Sequence, residues 1–530
     1  MPKIKDKNST TTDKIVSPKY LYVTSFIEGG SVMGVELLSV KMIAPYYGNS
    51  LYVWASVLGI TLGGLAIGYF LGGIASKKYP QTKALFYVLL VSAITVFLMP
   101  MWGNIIMKMT LNLDLITATV ISCAFFLLPP LVCFGMTSPI IINLLTEQVE
   151  DAGKVSGTVY GVSTIGGILM TFITGLYLLP QMGIKITTYI IAVLLLLIPV
   201  IYFIYSKKHI VAAILVPVIL LLIGKASLSK TEYNSHLKLR DKSDGLLGQL
   251  LVIDDMKTEK RSLFINSISQ TFMHLPTRRS QWQYVHRVAL YASFMPANSK
   301  ALICGLGGGN LVNEFKNLNF EVDAVELDGR MEILARKYFY MNPEVNTFVD
   351  DARHYIRTCK KQYDIVVLDM TAAENQPANV YTIEGFTEIY NLLSENGVMF
   401  VHYQNVLEGK HALAVKSIGK TLQKAGFQVR LINTQKDPKE TGEQMFFATK
   451  QPIDLTNETF DRRDRFADPF NFPRGKEIFI ANYDFTDGLI LTDDKPIMDF
   501  LHINTLDMTR ISSINVTIPI LLKEKIELIE

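Results

Sequence analysis

The chain has 530 residues, of which 49% are hydrophobic and only 19% charged, and its formal net charge is +3. So small a positive excess gives no reason to expect a nucleic-acid partner. The four cysteines do not form a disulfide framework or fit zinc-ligand spacing, so we expect them to pack in cores and expect no metal site. Most charged residues follow Lys225, which divides the chain into an apolar first part and a polar second part.

Seven apolar segments in the first 224 residues are candidate membrane spans, since a span needs about 20 apolar residues. They are residues 21–43, 52–75, 84–107, 115–145, 155–179, 187–205 and 210–224. The fourth contains Pro129, Pro130 and Pro139, which predict a kinked or broken helix. The last has only about 15 apolar residues, so we expect it to lie at the interface rather than cross fully. We therefore predict a multi-pass α-helical domain in a lipid bilayer.

Small and charged residues within these segments give further expectations. Glycines spaced for close helix packing are Gly64, Gly68, Gly72, Gly157 and Gly161. Glu36 and Lys41 lie inside the first segment, where they could form a structural ion pair or a functional polar site. Glu28, near the start of that segment, could reach the membrane interface.

The polar part begins with short elements. Residues 225–243 are predicted to be a linker, and the runs GLLGQLLVIDD and RSLFINSISQTFM to form an antiparallel strand pair. A helix is expected around residues 282–294. We place the domain boundaries at 1–19 for a polar tail, 20–224 for the helical bundle, 225–243 for the linker, 244–299 for a small β-domain, 300–505 for a nucleoside-binding domain and 506–530 for a C-terminal tail.

A glycine-rich loop follows the first predicted parallel strand, residues 301–304. Its glycines are Gly305, Gly307, Gly308 and Gly309, and a helix is expected to begin near Asn310. Glycines allow the backbone to approach a ligand closely, and the helix start offers unpaired N–H groups. Alone this signal is weak, but a carboxylate after the next strand strengthens it.

Carboxylates end the next three predicted strands. Glu326 is placed to accept hydrogen bonds from a ribose diol, about 20 residues after the glycine loop. Asp351 with Ala352 beside it suits an adenine amino group, and Asp369 ends the fourth strand. Such strand ends predict a Rossmann-like parallel α/β sheet that binds a nucleoside at its carboxyl edge.

These motifs resemble the spermidine synthase (polyamine aminopropyltransferase) family, a branch of the class I AdoMet-dependent methyltransferase fold. The stretches that carry the resemblance are GLGGGNL, VELDGRMEILARKYF, DDARHYI, QYDIVVLDMTAAENQPANVYT and LTDDKPIMDFL. With MGVELLSVKMIAPYYGNSLYVWASVLGITLGGLAIGYFLGG and GTVYGVSTIGGILMTFITGLYLLPQMG, the chain resembles the membrane-fused form between about residues 20 and 505. The resemblance implies decarboxylated AdoMet or AdoMet as co-substrate, and it places Gln270 near the active site.

The sequence departs from the family where the acceptor amine is handled. The soluble enzymes carry an Asp-Ser-Ser/Thr-Asp-Pro segment, and its second aspartate is Ala372 here. Glu374 fills the place of a carboxylate found in the fused branch. The resemblance therefore makes Glu374 the first candidate for the catalytic carboxylate and Asp369 the second.

The family's Tyr-His/Gln-Glu element, which holds the polyamine, falls near residues 284–286, with Tyr284 kept and the glutamate lost. Cationic side chains surround this element, namely His274, Arg278, Arg279 and Arg287. Like charge opposes a polycation, so the acceptor site is expected to differ from that of the soluble enzymes.

The resemblance implies a membrane-anchored aminopropyltransferase acting on a small-molecule amine. Two alternatives stay open: a methyltransferase with another, membrane-delivered acceptor, and a transporter or binding protein with a nucleoside-sensing domain. Homodimer formation also stays open. Lysines before the first segment and after the second and sixth favour the cytoplasmic side for those loops. We expect location in the cell membrane with the nucleoside domain facing the cytoplasm, where sulfonium donors are made, although seven full spans would place it outside.

Overall fold

The computed structural model describes residues 16–79, 82–207, 209–228, 236–245, 247–370, 376–432, 434, 437–453, 470–471, 479–495 and 497–529. The chain divides into two compact units. The first comprises Met1–Tyr233, Ser243–Gly248 and Leu521–Glu530, and the second comprises Asn234–Lys242 and Gln249–Ile520.

The first unit is helical. Its helices are α1 (Pro18–Tyr47), α2 (Leu51–Lys78), α3 (Thr82–Met109), α4 (Leu115–Phe126), α5 (Leu128–Leu145), α6 (Ala152–Phe172), α7 (Leu179–Ser206) and α8 (Ile210–Leu228). By length and composition, six helical stretches of the described residues could cross a membrane, and one of them runs for 58 residues from Val149 to Ser206. A π-helical turn and Gly183, at φ +73°, interrupt that stretch, which contains two of the predicted spans.

The predicted break in the fourth apolar segment is confirmed. Helix α4 ends at Phe126, and α5 begins at Leu128 with Pro129 and Pro130 in its first turn. Proline is tolerated there because the first N–H groups of a helix have no partner within the helix. The last segment, α8, is a helix of 19 residues.

The prediction that spaced glycines mark close helix packing is confirmed for α2 and wrong for Gly157 and Gly161 of α6. A Cβ at Gly68 would overlap the backbone of α5 at Val132 and lie 2.7 Å from the Cα of Gly135, so glycine is required for this approach. A Cβ at Gly157 or Gly161 would meet nothing within 4 Å. Glycines at every fourth residue predict a helix face of small residues, but the position of the neighbouring helix determines which face forms the packing contact.

Helix α6 packs instead against α1 through a different pair of glycines. A Cβ at Gly29 would overlap the carbonyl of Ser163, and one at Gly166 would overlap the carbonyl of Phe26. Glu28 lies at this contact and is only 3% exposed, so it does not reach the surface of the unit. Glu36 is half-buried.

The second unit contains two sheets. The strands are β1 (Leu237–Ser243), β2 (Leu250–Asp255), β3 (Lys260–Ile265), β4 (Ile268–His274), β5 (Lys300–Cys304), β6 (Glu321–Glu326), β7 (Asn346–Val349), β8 (Tyr363–Leu368), β9 (Leu393–Asn405), β10 (Gln428–Ile432) and β11 (Gly442–Thr449). Strands β1 to β4 form the smaller sheet in chain order. The predicted antiparallel pairing is confirmed for β2 with β3, but the second predicted run contains two strands, β3 and β4, which pair with each other. Strand β1 occupies part of the predicted linker.

The larger sheet has the order β10-β11-β9-β8-β5-β6-β7. Strands β5 to β9 pair in parallel, whereas β11 is antiparallel to β9 and β10. The helices of this unit are α9 (Gln283–Ala292), α10 (Asn310–Asn317), α11 (Gly329–Tyr338), α12 (Ala352–Thr358), α13 (Ile383–Leu392) and α14 (Leu413–Lys424), with Met498–Ser512 near the C-terminus.

The strand order reverses at β5, which pairs with β6 on one side and β8 on the other. Strands β5 and β8 are nearly continuous apolar runs, because helices cover both faces of a parallel sheet and bury its side chains. Ligands of open α/β sheets bind in the crevice outside the carboxyl ends of the strands at such a reversal. The predicted α/β class is confirmed, and the topology places the candidate site after β5.

Candidate active site

The loop after β5 requires glycine at three positions. Gly305, Gly307 and Gly309 have φ angles of +93°, +52° and +74°, a region that side chains with a Cβ adopt only with strain. A Cβ at Gly305 would also overlap the carbonyl oxygen of Asp369. The backbone of the loop therefore lies directly against the chain that leaves β8.

Glu326 holds this loop from the end of β6. Its Oε2 accepts a hydrogen bond from the N–H of Leu306 at 3.0 Å, and its Oε1 accepts one from the N–H of Asp328 at 2.9 Å. Burial raises the pKa of Glu326 above its usual value, and the two backbone N–H groups oppose that rise. Each carboxylate oxygen keeps acceptor capacity, so the fixed carboxylate suits a ribose diol, as the sequence predicts.

Asp351 lies at the next strand end and is the N-cap of α12. Its side chain accepts a hydrogen bond from the N–H of His354 at 3.0 Å, and Ala352 is the first residue of the helix. Both are half-buried. Asp351 is also close enough to Cys304 for its charge to raise the thiol pKa, with burial as the larger cause.

The smaller sheet touches the glycine loop. Thr271 on β4 accepts a hydrogen bond from the N–H of Gly308 at 2.8 Å. The adjacent Gln270 lies at a register shift between β3 and β4, because Leu263 pairs with Thr271 while Phe264 pairs with Ser269. A bulge of this kind redirects a side chain beside a site. The structure thus brings Gln270 next to the loop.

Asp369 is the centre of a second cluster. Its Oδ2 accepts a hydrogen bond from the hydroxyl of Tyr284 at 3.0 Å, and its Oδ1 lies 2.8 Å from Nδ1 of His402. The rings of Tyr284 and His402 stack with centroids 4.0 Å apart and planes 8° apart. Three side chains from separate elements therefore fix one another.

The sheet register explains why Asp369 and His402 meet. Leu368 on β8 pairs with Val401 on β9 in parallel as the last pair between these two strands, and Asp369 and His402 are the residues that follow this pair. Sequence reasoning missed His402. The signal was available, because a histidine follows the apolar run GVMFV at the end of the next parallel strand.

His402 has unusual surroundings. Burial lowers the pKa of His402. The hydrogen bond with Asp369 and the charges of Asp369 and Glu443 raise it by more than burial lowers it, so the net pKa lies above the usual value. The Nε2 atom of His402 is buried without a hydrogen-bond partner in the described part of the chain. The hydroxyl of Tyr381 is likewise buried and unpartnered there, and its pKa is raised by burial and by Asp369.

Glu443 on β11 adds a second carboxylate that the sequence analysis did not identify. Its strand partner is Gln404, so it lies diagonally from His402 on the same face of the antiparallel pair. Burial raises the pKa of Glu443, and Asp369 raises it further, whereas His402 and Arg287 lower it. No local motif marks Glu443, because β11 reaches the site only through tertiary pairing.

Glu374, the first sequence-based candidate for catalysis, lies outside the described residues, so its role stays a prediction. The cationic cluster proves to be largely committed to other contacts. Arg279 forms an ion pair with Glu314 at 2.9 Å, and Arg278 stacks over the ring of Tyr340 at 4.1 Å. Arg279 thus has a carboxylate partner, while the expectation that the cluster opposes a polyamine stays a prediction.

Across the described ranges of the chain, no group of three or more His, Cys, Asp and Glu side chains is arranged to hold a metal ion. The site consists instead of a glycine loop with fixed carboxylates on one side and the Asp369 cluster on the other.

Comparison with known families identifies this region. The spermine/spermidine synthase domain matches residues 283–458, which include α9, the glycine loop and β11. The C-terminal part of this chain carries a spermine/spermidine synthase domain. A polyamine aminopropyltransferase of Vibrio vulnificus is 35% identical over 129 residues, covering 23% of this chain and 43% of the relative. One from Korarchaeum cryptofilum is 27% identical over 169 residues, covering 30% and 51%.

The chain thus spans about half the length of these curated relatives. Among solved structures, a probable spermidine synthase from Corynebacterium glutamicum is similar with 19% identity and a TM-score of 0.37, over 42% of this chain and 83% of that one. Each of these similarities covers less than half of this chain.

Proposed function

We propose that this chain is a membrane-anchored aminopropyltransferase that uses decarboxylated AdoMet and a small primary amine. The observation that carries the proposal is the direct contact between the two halves of the site. The Gly305 backbone, which belongs to the donor loop, lies against the backbone of Asp369, which centres the acidic cluster. A donor bound at the loop would therefore present its reactive carbon beside groups suited to an ammonium.

On the donor side, Glu326 would accept hydrogen bonds from the ribose hydroxyls, and Asp351 with Ala352 would contact the adenine. The glycine backbone between them leaves room for the chain that carries the sulfonium. The motif similarity and the synthase-domain match support this assignment.

On the acceptor side, Asp369 and Glu443 provide negative charge for an amine that arrives protonated. The amine must lose a proton before its nitrogen lone pair can attack the carbon next to sulfur. The C–S bond then breaks, and the thioether leaves with the electron pair as a neutral group. Holding both reactants in line removes much of the entropic cost of a bimolecular displacement.

The test uses the full-length protein in detergent, with decarboxylated AdoMet or AdoMet and a panel of diamines and polyamines, and product detection by mass spectrometry. We expect an aminopropyl product and methylthioadenosine. Asp369→Asn should reduce transfer by more than about tenfold, since groups that take part in proton transfer typically contribute about 10²–10⁴-fold. Asp487→Asn is the matched control, because Asp487 is exposed (74%) and pairs with Lys416 at the surface.

Two results would count against the proposal. If the protein binds the nucleoside but transfers no aminopropyl group to any amine, it is not an aminopropyltransferase. If it transfers a methyl group from AdoMet, the methyltransferase alternative is correct.

We also propose that the helical unit lies in a membrane with the synthase domain on the cytoplasmic side. The length and composition of the six helical stretches support membrane insertion, and the cytosolic origin of sulfonium donors supports the orientation. Reporter fusions after Lys208 and after Lys242, on either side of α8, test it. Both should report the cytoplasmic side, whereas an external report from the second fusion would show that α8 crosses and would overturn the orientation.

A further inference from the structure

We infer that His402 is the group that takes the proton from the acceptor amine, and that Asp369 is its positioning residue rather than the base itself. This inference rests on the proposed function and names the residue that performs its proton-transfer step. It differs from the sequence-based prediction, in which a carboxylate, Glu374 or Asp369, has that role.

The hydrogen bonds of Asp369 are the first step of the argument. Both of its carboxylate oxygens already face protein groups, the hydroxyl of Tyr284 at 3.0 Å and Nδ1 of His402 at 2.8 Å. Each oxygen keeps some acceptor capacity, but the Asp369 carboxylate is held between two protein groups from separate elements. It is well placed to fix the ring of a histidine.

The second step concerns the tautomer of His402. Ionised carboxylates only accept hydrogen bonds, so the contact with Asp369 requires the proton of a neutral imidazole to be on Nδ1. The lone pair is then on Nε2. That atom is buried and has no partner among the described residues, so the basic end of the ring is directed away from Asp369 and is available to a ligand.

The third step is the rigidity of the ring. Tyr284 stacks on His402 with planes only 8° apart, and the same tyrosine donates its hydroxyl to Asp369. The imidazole is thus held at its edge by a hydrogen bond and on its face by an aromatic ring. Proton transfer requires such fixed geometry, because the base must lie within hydrogen-bond reach of the proton that it removes.

The charges that face His402 favour this role. They come from Asp369 after β8 and Glu443 on β11, while Tyr284 on α9 contributes a phenol. Both carboxylates raise the pKa of His402, which makes it a stronger base than an isolated imidazole. An ammonium entering this acidic cluster would be attracted to it and would meet Nε2 as the available acceptor.

The step is balanced in protons and electrons. The protonated amine R–NH₃⁺ gives one proton to Nε2 of His402, leaving R–NH₂ and an imidazolium paired with Asp369. The nitrogen lone pair forms the new N–C bond, and the electrons of the C–S bond go to sulfur. The products are a secondary ammonium and a neutral thioether, and His402 later releases its proton to solvent.

The test is the pH dependence of transfer in the full-length protein, with decarboxylated AdoMet and 1,4-diaminobutane as probes. In the wild-type protein, kcat/KM should fall as the pH drops through the raised pKa of His402, because only the neutral ring accepts a proton. His402→Asn keeps an amide N–H that can donate to Asp369 but has no basic nitrogen. We expect the kcat of this variant to be about 10²–10⁴-fold lower. The fall of kcat/KM at low pH, which is the acid limb of the pH profile, should be lost.

Two further measurements separate a chemical role from a structural one. Methylthioadenosine should bind to His402→Asn as tightly as to the wild-type protein, which shows that the donor site is intact. Asp369→Asn should move the acid limb to lower pH, because the carboxylate that raises the pKa of His402 is gone. A merely structural change would lower the rate without moving the limb.

The inference is wrong if His402→Asn keeps the wild-type kcat, or if its acid limb is unchanged. It is also wrong for Asp369 if Asp369→Asn leaves the limb in place. If the wild-type protein binds the donor but forms no aminopropyl product, the proposed function fails and this inference fails with it, so the two failures are distinguishable.

Discussion

Replacement of Glu326 by glutamine is the most direct test of the donor site. The carboxylate accepts one backbone N–H at each oxygen, from Leu306 and from Asp328. Glutamine has the same shape but only one acceptor oxygen, and its NH₂ group would face one of these N–H donors. The variant therefore loses one charge-assisted acceptor for the ribose diol and places two donors against each other.

The magnitude follows from the loss of one hydrogen bond to a charged group, which contributes about 1.5–3 kcal/mol. At about 1.4 kcal/mol for each factor of ten, methylthioadenosine should bind about 12- to 140-fold more weakly. Isothermal titration calorimetry in detergent measures this change. Glu321→Gln is the matched control, because Glu321 is exposed at the opposite end of the same strand, β6.

A double-mutant cycle assigns the loss to the diol. The analogue that lacks the 2′- and 3′-hydroxyls should bind weakly to the wild-type protein and no more weakly to Glu326→Gln. Burial raises the pKa of Glu326, and only the ionised form accepts from two hydroxyls, so wild-type affinity should also fall as the pH drops through that raised pKa. Equal losses for both ligands, or affinity within twofold of wild type, would refute this account of the site.

Two stability predictions follow. Asp254→Asn leaves the buried guanidinium of Arg261 without its carboxylate partner and should destabilise the protein by about 3–5 kcal/mol, seen as a lower Tm than for the exposed-site control Glu259→Gln; an unchanged Tm would contradict it. Gly68→Ala places a Cβ against the backbone of α5, whereas Gly63→Ala meets nothing within 4 Å. Gly68→Ala should lower the free energy of unfolding by about 1–3 kcal/mol and so lower the Tm, whereas Gly63→Ala should not lower it. Similar Tm values for the two variants would show that the contact between α2 and α5 at Gly68 does not require glycine.

The donor side of the site could be located from sequence because it is local. Each strand of a parallel α/β sheet is followed by a loop at the same edge, so Gly305, Glu326, Asp351 and Asp369 could be placed together without knowing the strand order. The structure puts all four at that edge. Their spacing carries the information, since one βα unit separates each from the next.

The acceptor side could not be completed in this way. Glu443 comes to the site on β11, an antiparallel strand whose position depends on pairing with β9. The carboxylate partner of Arg279 could not be identified for a similar reason, because Glu314 lies 35 residues away on α10. Sequence proximity gives a list of charges but does not show which of them are already paired.

The distribution of ion pairs in the second unit therefore has a functional consequence. Buried arginines form ion pairs with carboxylates, as in the pairs of Arg261 with Asp254 and of Arg353 with Asp493.

At the carboxyl edge of the sheet, Asp369 instead faces a tyrosine and a histidine. Burial, and to a smaller extent the charge of Asp369, raise the pKa of Glu443, because both make its ionised form more costly in the absence of a ligand. A cation that enters the site would relieve the repulsion, so the free energy of binding should favour ligands that carry positive charge. A sulfonium donor and an ammonium acceptor both meet this condition, whereas the neutral thioether product does not.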